Sequence, residues 1–255
     1  MKLHAQLTLD YGRQKPLEVF KALLVVFQRQ GFAREQFCTL DNWRSLEKAK
    51  HFHIQGSLFP DIAFVPITNH RLDLLCIDGE TNLGDLERVL GELVTQFTAR
   101  QAFLHSADYY HWQNAEQPME YECAGRDHSM LPKVHNGLPP PLDAMWIDIS
   151  RNPGRRYLRE GFQEAVSSPM WLRDDQITKA KADEIGSRPG FLVTSHEAHY
   201  CVRHSRSPFD EDTHEEQEFL RAVCFGRPNQ TVQRTGASRS AQETNRTSPA
   251  AGSRR

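Results

Sequence analysis

The amino-acid sequence predicts an α+β fold, a mixed and largely antiparallel sheet with helices packed on it, in a single domain over residues 1–226. Strand-like and helix-like patterns are mixed along the chain without strict alternation, which disfavours a doubly wound fold. The chain has 255 residues, of which 38% are hydrophobic and 25% are charged, so it can bury a substantial core. After residue 226 no aromatic residue, Leu or Ile remains, and we expect residues 227–255 to form a disordered basic tail.

The N-terminal half begins with an alternating segment. Its apolar residues occupy every second position (Leu3, Ala5, Leu7 and Leu9), which is the pattern of a half-buried strand. A buried helix is predicted over residues 17–30, because Pro16 suits a first helical turn and Gly31 suits a C-terminal stop. Further strands are expected at 62–67 and 71–78, and the second should be central in its sheet because it is apolar on both faces.

The clearest element in the sequence is a helix over residues 83–100. Apolar residues recur there at i, i+3 and i+4 spacing, at Leu83, Leu86, Val89, Leu90, Leu93, Val94 and Phe97. Asn82 can cap the N-terminus of this helix, and Asp85 lies near the positive end of its dipole.

The C-terminal half is predicted to start with a long irregular segment at residues 113–142. This segment is rich in Pro and Gly, and a loop of such length in a compact domain is either functional or a linker. Beyond it we expect strands at 144–149, 191–195 and 198–203 and helices at 157–166 and 175–185. Thr213 with Glu216 has the pattern of a capping box, which predicts a last helix up to Cys224.

Charge is distributed unevenly between the predicted domain and its tail. The net charge is −2, but residues 227–255 carry six Arg and one acidic residue, Glu243. The first 226 residues therefore hold 25 basic and 32 acidic residues and have a net charge of about −7. Nucleic-acid binding relies on clustered Lys and Arg, so the acidic domain argues against nucleic acid as the main partner.

The sequence favours a cytoplasmic protein that is not embedded in a membrane. No secretory signal is recognised at the N-terminus, and the longest apolar run, residues 22–27, is far shorter than the roughly 20 residues that span a bilayer. The five cysteines are odd in number and irregularly spaced, without a C-x-x-C motif. That pattern suits reduced thiols better than a disulfide framework.

Two groups of His and Cys residues are candidates for metal binding or hydrolysis. His199 and Cys201 would share one face of a strand, whereas His196 and His204 would point to the other face. The second group lies in the Pro/Gly-rich segment and comprises Cys123, Asp127, His128 and His135. Neither group has the paired spacing of a strong zinc site, so we predict no metal, no cofactor and no catalytic residue.

A nucleophilic triad is also considered at Ser195, His196 and Glu197. The residue types suit a triad, but adjacent residues of a strand alternate sides and cannot relay a proton to one another. The alternative function, a small hydrolase or metal-dependent enzyme, would need these His/Cys-containing segments to converge in one pocket.

Five residues are candidates for partner binding. Tyr109, Tyr110 and Trp112 form the most aromatic stretch of the chain, and Tyr and Trp are enriched at binding hot spots. Arg155 and Arg156 follow a predicted tight turn, where paired guanidinium groups can bind an acidic group. The alternative interpretation is that the aromatic rings complete the core and that the arginines lie in a solvated turn.

Three short motifs carry a family resemblance. The strand ending in residues 146–149 (Trp-Ile-Asp-Ile), the Asn-Pro-Gly-Arg turn at 152–155 and the Met-Trp-Leu segment at 170–172, in an acidic α+β domain, resemble bacterial immunity proteins of polymorphic toxin systems. The resemblance implies a single-domain, non-enzymatic cytoplasmic protein whose partner is another protein, a toxin that it neutralises by binding. Residues 233–248 resemble a translated repeat element found at the ends of unrelated bacterial proteins, which implies a tail without a selected function.

Overall fold

The structure is a computed structural model that describes residues 1–31, 43–54 and 61–226. It confirms the predicted α+β class, with a large antiparallel sheet and helices packed on it. The tail predicted at 227–255 lies outside the described residues. In the part of the chain that is described, no helix is long and apolar enough to cross a membrane.

The described elements follow one another in mixed order along the chain. The strands are β1 (Lys2–Asp10), β2 (Phe52–Ile54), β3 (Asp61–Ile67), β4 (Leu72–Glu80), β5 (Gln101–Ser106), β6 (Lys133–His135), β7 (Met145–Ile147), β8 (Tyr157–Arg159), β9 (Phe162–Glu164), β10 (Met170–Arg173), β11 (Phe191–His196) and β12 (His199–His204). The α-helices are α1 (Pro16–Arg29), α2 (Trp43–Lys48), α3 (Leu83–Phe97), α4 (Ala107–Asn114), α5 (Pro118–Cys123), α6 (Lys179–Ser187) and α7 (His214–Phe225).

Eight strands form the main sheet, in the order β11-β12-β10-β5-β1-β4-β3-β2, and every pair in it is antiparallel. The short pairs β6–β7 and β8–β9 lie outside this sheet. Strand β4 sits between β1 and β3, which confirms the prediction of a central strand. The register places Leu7 opposite Leu75 on one side and Ala102 on the other, so that all three side chains share one face.

We call this the helix face, because α1 and α3 cover it. Its core is apolar and continuous from β1, β3 and β4 into both helices, and Leu7, Leu75 and Leu90 are all fully buried. Helix α3 has its predicted N-cap: the Asn82 side chain accepts a 2.8 Å hydrogen bond from the Gly84 N–H. The helix ends at Phe97 rather than at residue 100, because Thr98 adopts a left-handed conformation with φ of 49°.

The opposite surface of the sheet, which we call the polar face, is covered by α4, α6, α7 and the β8–β9 hairpin. Strand β1 is therefore buried on both faces, and Gln6 and Thr8 are 1% and 0% exposed. The sequence pattern predicted a strand that is only half buried, and that prediction is wrong at these two positions. The polar side chains of this face lie on its β1 side. On β10 and β12 the same face carries apolar side chains, which form a second core cluster that includes Met170 and Leu220.

Residues 157–166 do not form the predicted helix but the β8–β9 hairpin. Gly161 turns the chain with φ of 76°, and its N–H donates to the His70 carbonyl at 2.6 Å. Gln163 is fully buried, and its backbone is hydrogen-bonded by the Gln101 side chain. These long-range contacts outweigh the local helical spacing on which the prediction relied.

Three other boundaries also differ from the predictions. The segment 113–142 is not irregular throughout, since it contains α5 and β6. Helix α6 starts at Lys179 because Thr178 caps it through the Lys181 N–H, at 3.4 Å. Before α7 the capping box pairs Asp210 with Thr213 around a short 3-10 turn, Glu211–Thr213, rather than Thr213 with Glu216.

Candidate functional site

Helix α4 carries the three aromatic candidates and lies on β1 and β5 at the border of the polar face. It follows β5 directly, so the end of that strand fixes where the helix begins. None of its residues is fully buried, unlike those of α1 and α3. The attachment of α4 to the sheet must therefore come from a few specific contacts, and Tyr110 makes the principal ones.

Tyr110 anchors α4 between two imidazole rings of the sheet. Its ring stacks on His4 with a centroid separation of 4.6 Å and lies 4.5 Å from the His105 ring. The Arg156 guanidinium lies 5.8 Å from the same aromatic ring. Burial raises the pKa of the Tyr110 phenol, so the phenol stays protonated at neutral pH. The ring contacts thus make Tyr110 a packing residue between α4 and the sheet.

The groups around Tyr110 form a polar cluster beneath α4. His4 Nδ1 lies 2.6 Å from Asp78 Oδ1, and Gln6 Nε2 donates to Cys76 Sγ at 3.3 Å. Burial lowers the pKa of His105 well below its usual range, and electrostatic interactions with the neighbouring His4 and Arg156 lower it further. Burial also raises the pKa of Cys76 to about 11. At neutral pH this thiol is protonated, which disfavours it as a nucleophile.

Tyr109 and Trp112 line a cleft on the outer side of α4, with a volume of about 300 Å³. We call it the acidic cleft. It is formed by Ser106, Asp108, Tyr109, Trp112, Asp210, Glu211 and Asp212. Burial raises the pKa of Tyr109 to about 12, and its hydroxyl accepts a 2.9 Å hydrogen bond from Gln217 Nε2. The Trp112 indole N–H donates to Asp108 Oδ1 at 3.1 Å. Both rings are therefore held in fixed orientations at the cleft.

The other wall of the acidic cleft is the loop that leads into α7. Asp210 shapes this loop, because its carboxylate accepts the Asp212 N–H at 3.1 Å and its N–H donates to the Thr213 hydroxyl at 2.9 Å. Glu211 and Asp212 remain exposed at the cleft. Four carboxylates thus converge on the cleft, while its lining within the described residues contains no Lys or Arg.

Trp112 also joins the acidic cleft to the next part of the chain, residues 115–149. Its ring packs 4.9 Å from Tyr121, and the Arg126 guanidinium lies 4.3 Å above it. Together with Ala115 and Ile147 these rings form a small core of their own. The segment 115–149 is therefore a folded unit that packs against α4 through Trp112.

This segment exposes several large apolar side chains. Five of the nine large hydrophobic side chains that are exposed in the described residues lie in it: Met119, Met130, Leu131, Leu142 and Met145. Met130 is the most exposed, at 92%. Sequence reasoning missed these residues, although several Met and Leu in a segment rich in Pro and Gly were a visible signal. Exposed apolar side chains are typical of interaction surfaces when they form a patch.

Arg155 and Arg156 do not lie in a solvated turn, because both are engaged within the protein. Arg155 is 3% exposed, and its Nη1 donates to Glu218 Oε1 at 2.9 Å and to the Asn152 carbonyl at 2.6 Å. Arg156 Nη1 lies 3.4 Å from Gln6 Oε1, and its backbone N–H donates to Asn114 Oδ1 at 2.7 Å. Both side chains position α4 and α7 relative to the sheet.

The Asn-Pro-Gly-Arg turn packs against the C-terminal end of α4. Gly154 donates its N–H to Gln113 Oε1 at 3.1 Å and accepts a bond from Asn114 Nδ2 at 3.2 Å. A Cβ atom at this position would lie 2.7 Å from Gln113 Cγ and 3.1 Å from Tyr109 Cε1. Only glycine fits this approach, so the turn helps to fix the ring that lines the cleft.

The His and Cys candidates are not brought together. His199 is buried and its Nε2 bonds to the Ala99 carbonyl at 2.7 Å, while Cys201 packs against the core of the helix face, where burial raises its pKa to about 11. His128 pairs instead with Glu122, at 3.3 Å. Among the described residues, no group of three or more His, Cys, Asp or Glu could hold a metal ion.

The residues of the considered triad lie at an exposed hairpin. Ser195 and His196 end β11, and Glu197 occupies the turn to β12 with φ of 50°. All three are exposed. Ser195 lines an open cleft of about 600 Å³ beside α6, but in the described structure neither His196 nor Glu197 lines it. The three side chains therefore share no shielded place for a reacting group.

Comparisons with known proteins give no family for this chain. No protein-family model matches it, and no curated protein matches it at a significant level.

Proposed function

We propose that this chain is a non-enzymatic cytoplasmic binding protein that recognises a basic protein partner and neutralises it, as immunity proteins neutralise toxins. The observation that carries the proposal is the acidic cleft, where four carboxylates surround the fixed rings of Tyr109 and Trp112. The cytoplasmic location is supported by an odd number of irregularly spaced cysteines, a pattern that suits reduced thiols.

Charge and ring geometry together favour a cationic side chain as the occupant of the acidic cleft. A Lys or Arg of the partner would meet carboxylates with which it can form charge-assisted hydrogen bonds. The face of Tyr109 would add a cation–π contact, whereas the Trp112 ring already has Arg126 as its cationic partner. The net charge of about −7 on residues 1–226 would also accelerate the approach of a basic protein.

The apolar side chains of segment 115–149 would supply the second part of the interface. Flexible Met side chains adapt to different partner shapes, and apolar side chains usually form the centre of a protein interface. Trp112 belongs to both surfaces, because it lines the acidic cleft and packs on Tyr121. It is therefore the residue that we expect to act as a hot spot.

The experiment is a titration of the purified chain with the product of the gene that lies beside its own, since immunity genes are adjacent to toxin genes. We expect a one-to-one complex by calorimetry. The Trp112→Ala variant should weaken it by about 2 kcal/mol, roughly 30-fold, as expected for an aromatic anchor. The double variant Glu211→Lys, Asp212→Lys should slow association, and this effect should be largest at low salt.

The matched control is Glu18→Lys, which reverses an exposed acid on α1, on the other side of the sheet. It should leave the affinity unchanged and slow association much less than the cleft variant does, because it alters only the net charge. Equal effects of the cleft and α1 variants would contradict the placement of the interface. A neighbouring gene product that does not bind would contradict the toxin-neutralising role. Thermal melts of each variant exclude unfolding as the cause of lost binding.

A further inference from the structure

A second surface lies at one edge of the main sheet, on strand β11. In the described part of the chain, β11 pairs with β12 on one side and with no strand on the other. Natural proteins protect such edges with charged side chains, Pro or bulges. The run Phe-Leu-Val-Thr-Ser at residues 191–195 contains no charge and no Pro, and its register with β12 is unbroken.

The hydrogen bonds next to β11 show which backbone groups face outward. The Gly190 carbonyl accepts the Ser205 N–H at 2.8 Å, and bonded positions alternate along an antiparallel pair. Leu192 and Thr194 therefore bond to β12, while Val193 and Ser195 direct their N–H and C=O groups away from it. The Phe191 N–H agrees with this pattern, because it donates to the Arg188 carbonyl outside the β11–β12 ladder.

The side chains along this edge also leave it accessible. Leu192 is 58% exposed, and Thr194 and Ser195 are exposed as well. Val193 points to the opposite side, where it packs with the core under α6. Within the described residues, the edge therefore offers a short row of backbone groups that no strand pairs, beside an exposed apolar side chain.

We propose that β11 pairs antiparallel with β11 of a second copy of this chain, about a twofold axis at Thr194. An antiparallel strand paired with itself is self-complementary, so the assembly closes as a dimer. Charge favours the same arrangement, because Arg188 precedes the strand and Glu197 follows it. The twofold axis brings the Arg188 end of one copy beside the Glu197 end of the other.

This dimer goes beyond the proposed partner binding and is independent of it, since no residue of β11 lines the acidic cleft. With the axis perpendicular to the sheet, the helix faces of both copies lie on the same side. Val193 and Ser195 then exchange four backbone hydrogen bonds across the axis in the register that places Thr194 opposite Thr194 of the second copy.

The test is sedimentation equilibrium of the full chain over a hundredfold range of concentration. We expect the mass to rise from one chain of 29.3 kDa to two chains as concentration increases. The double variant Leu192→Lys, Thr194→Lys places like charges along the seam and should raise the dissociation constant at least tenfold. The matched control adds the same charge at exposed positions elsewhere, as His53→Lys on β2 with Val25→Lys on α1, and should dimerise like the unmodified chain.

A second variant, Ser195→Pro, tests the backbone directly. It removes an outward N–H while the bonds of Thr194 to β12 remain, so it should also prevent the dimer without unfolding the hairpin. A chain that stays monomeric at every concentration would overturn the proposal. A dimer that survives both Leu192→Lys, Thr194→Lys and Ser195→Pro would overturn it equally, because it would have to use another surface.

Discussion

The two faces of the main sheet are held together in different ways. On the helix face, β-strand side chains such as Leu7 and Leu75 meet Leu90 of α3 in a continuous apolar core. On the polar face, Gln6 and Thr8 of the same strand β1 are equally buried but need hydrogen-bond partners. Apolar burial is non-directional and tolerates variation, whereas buried polar groups require specific partners. We therefore expect hydrogen bonds on the polar face to fix the positions of α4 and the β8–β9 hairpin more precisely than apolar packing fixes α1 and α3 on the helix face.

Gln163 shows how directional the polar face is. Its Nε2 donates to the Thr8 hydroxyl at 2.7 Å, and its backbone N–H donates to Gln101 Oε1 at 2.7 Å. The Nε2 of Gln101 in turn donates a hydrogen bond to the Gln163 carbonyl at 3.0 Å. Three side chains from three distant parts of the chain thus attach the β8–β9 hairpin to the sheet.

The largest effect is expected on the helix face. Leu90 is fully buried in the middle of the apolar stripe of α3, so Leu90→Ala should cost about 2–5 kcal/mol of unfolding free energy through the cavity that it leaves. Urea denaturation measures this loss. Arg88→Ala, at an exposed position on the same helix, should change stability by less than ~0.5 kcal/mol. Similar losses for both variants would show that the stripe is not a tightly packed core.

A smaller but more specific effect is expected on the polar face. Gln163→Leu leaves the buried Thr8 hydroxyl without this partner and should cost about 1–3 kcal/mol. Adding Thr8→Val removes the unsatisfied group, so the double variant should be more stable than the sum of the single losses predicts. A double-mutant cycle in urea gives the coupling energy. Strictly additive losses would mean that the two side chains do not depend on each other.

The smallest effect should appear in the pH dependence of stability. Burial lowers the pKa of His105 in the folded protein below its usual value of 6.5. The unfolded chain then binds the proton more readily. The contribution of His105 to the free energy of unfolding is therefore fully present above about pH 6.5 and is lost as pH falls toward 5. His204, whose pKa burial also lowers, contributes in the same direction.

Denaturation at several pH values between 7.5 and 5 measures this dependence. His105→Gln removes one titrating group but keeps His204, so its stability should fall less steeply with decreasing pH than that of the unmodified chain. The groups that face His105 are His4, Tyr110 and Arg156, and they are unchanged in the variant. The same slope in both proteins would show that His105 does not contribute to the acid sensitivity.

The helix face could be predicted from the sequence because its signals are local. The stripe from Leu83 to Phe97 and the cap at Asn82 lie within one helix, and both are confirmed. The polar face could not be predicted, because its contacts join residues far apart, such as Thr8 and Gln163. The region 157–166 looks helical in isolation and becomes a hairpin only in contact with Gln101.

The candidate site was predictable only in part. The stretch from Tyr109 to Trp112 was recognisable as aromatic. Which of its rings packs on the sheet, as Tyr110 does, and which lines the cleft depends on the contacts of α4 with β1 and β5. The acidic wall around Glu211 is about a hundred residues away in sequence, and no local pattern connects it to α4. The Met and Leu residues of segment 115–149 were visible in the sequence, but their exposure was not predicted because Pro and Gly made the region look irregular.

The central claim is that partner binding uses the acidic cleft and segment 115–149 rather than the helix face. Hydrogen–deuterium exchange of the chain, alone and in complex with the product of the adjacent gene, tests this most directly. We expect slower exchange in residues 106–114, 119–145 and 209–213, and no change in α1. Protection confined to α1 and α3, with the cleft unchanged, would contradict the account.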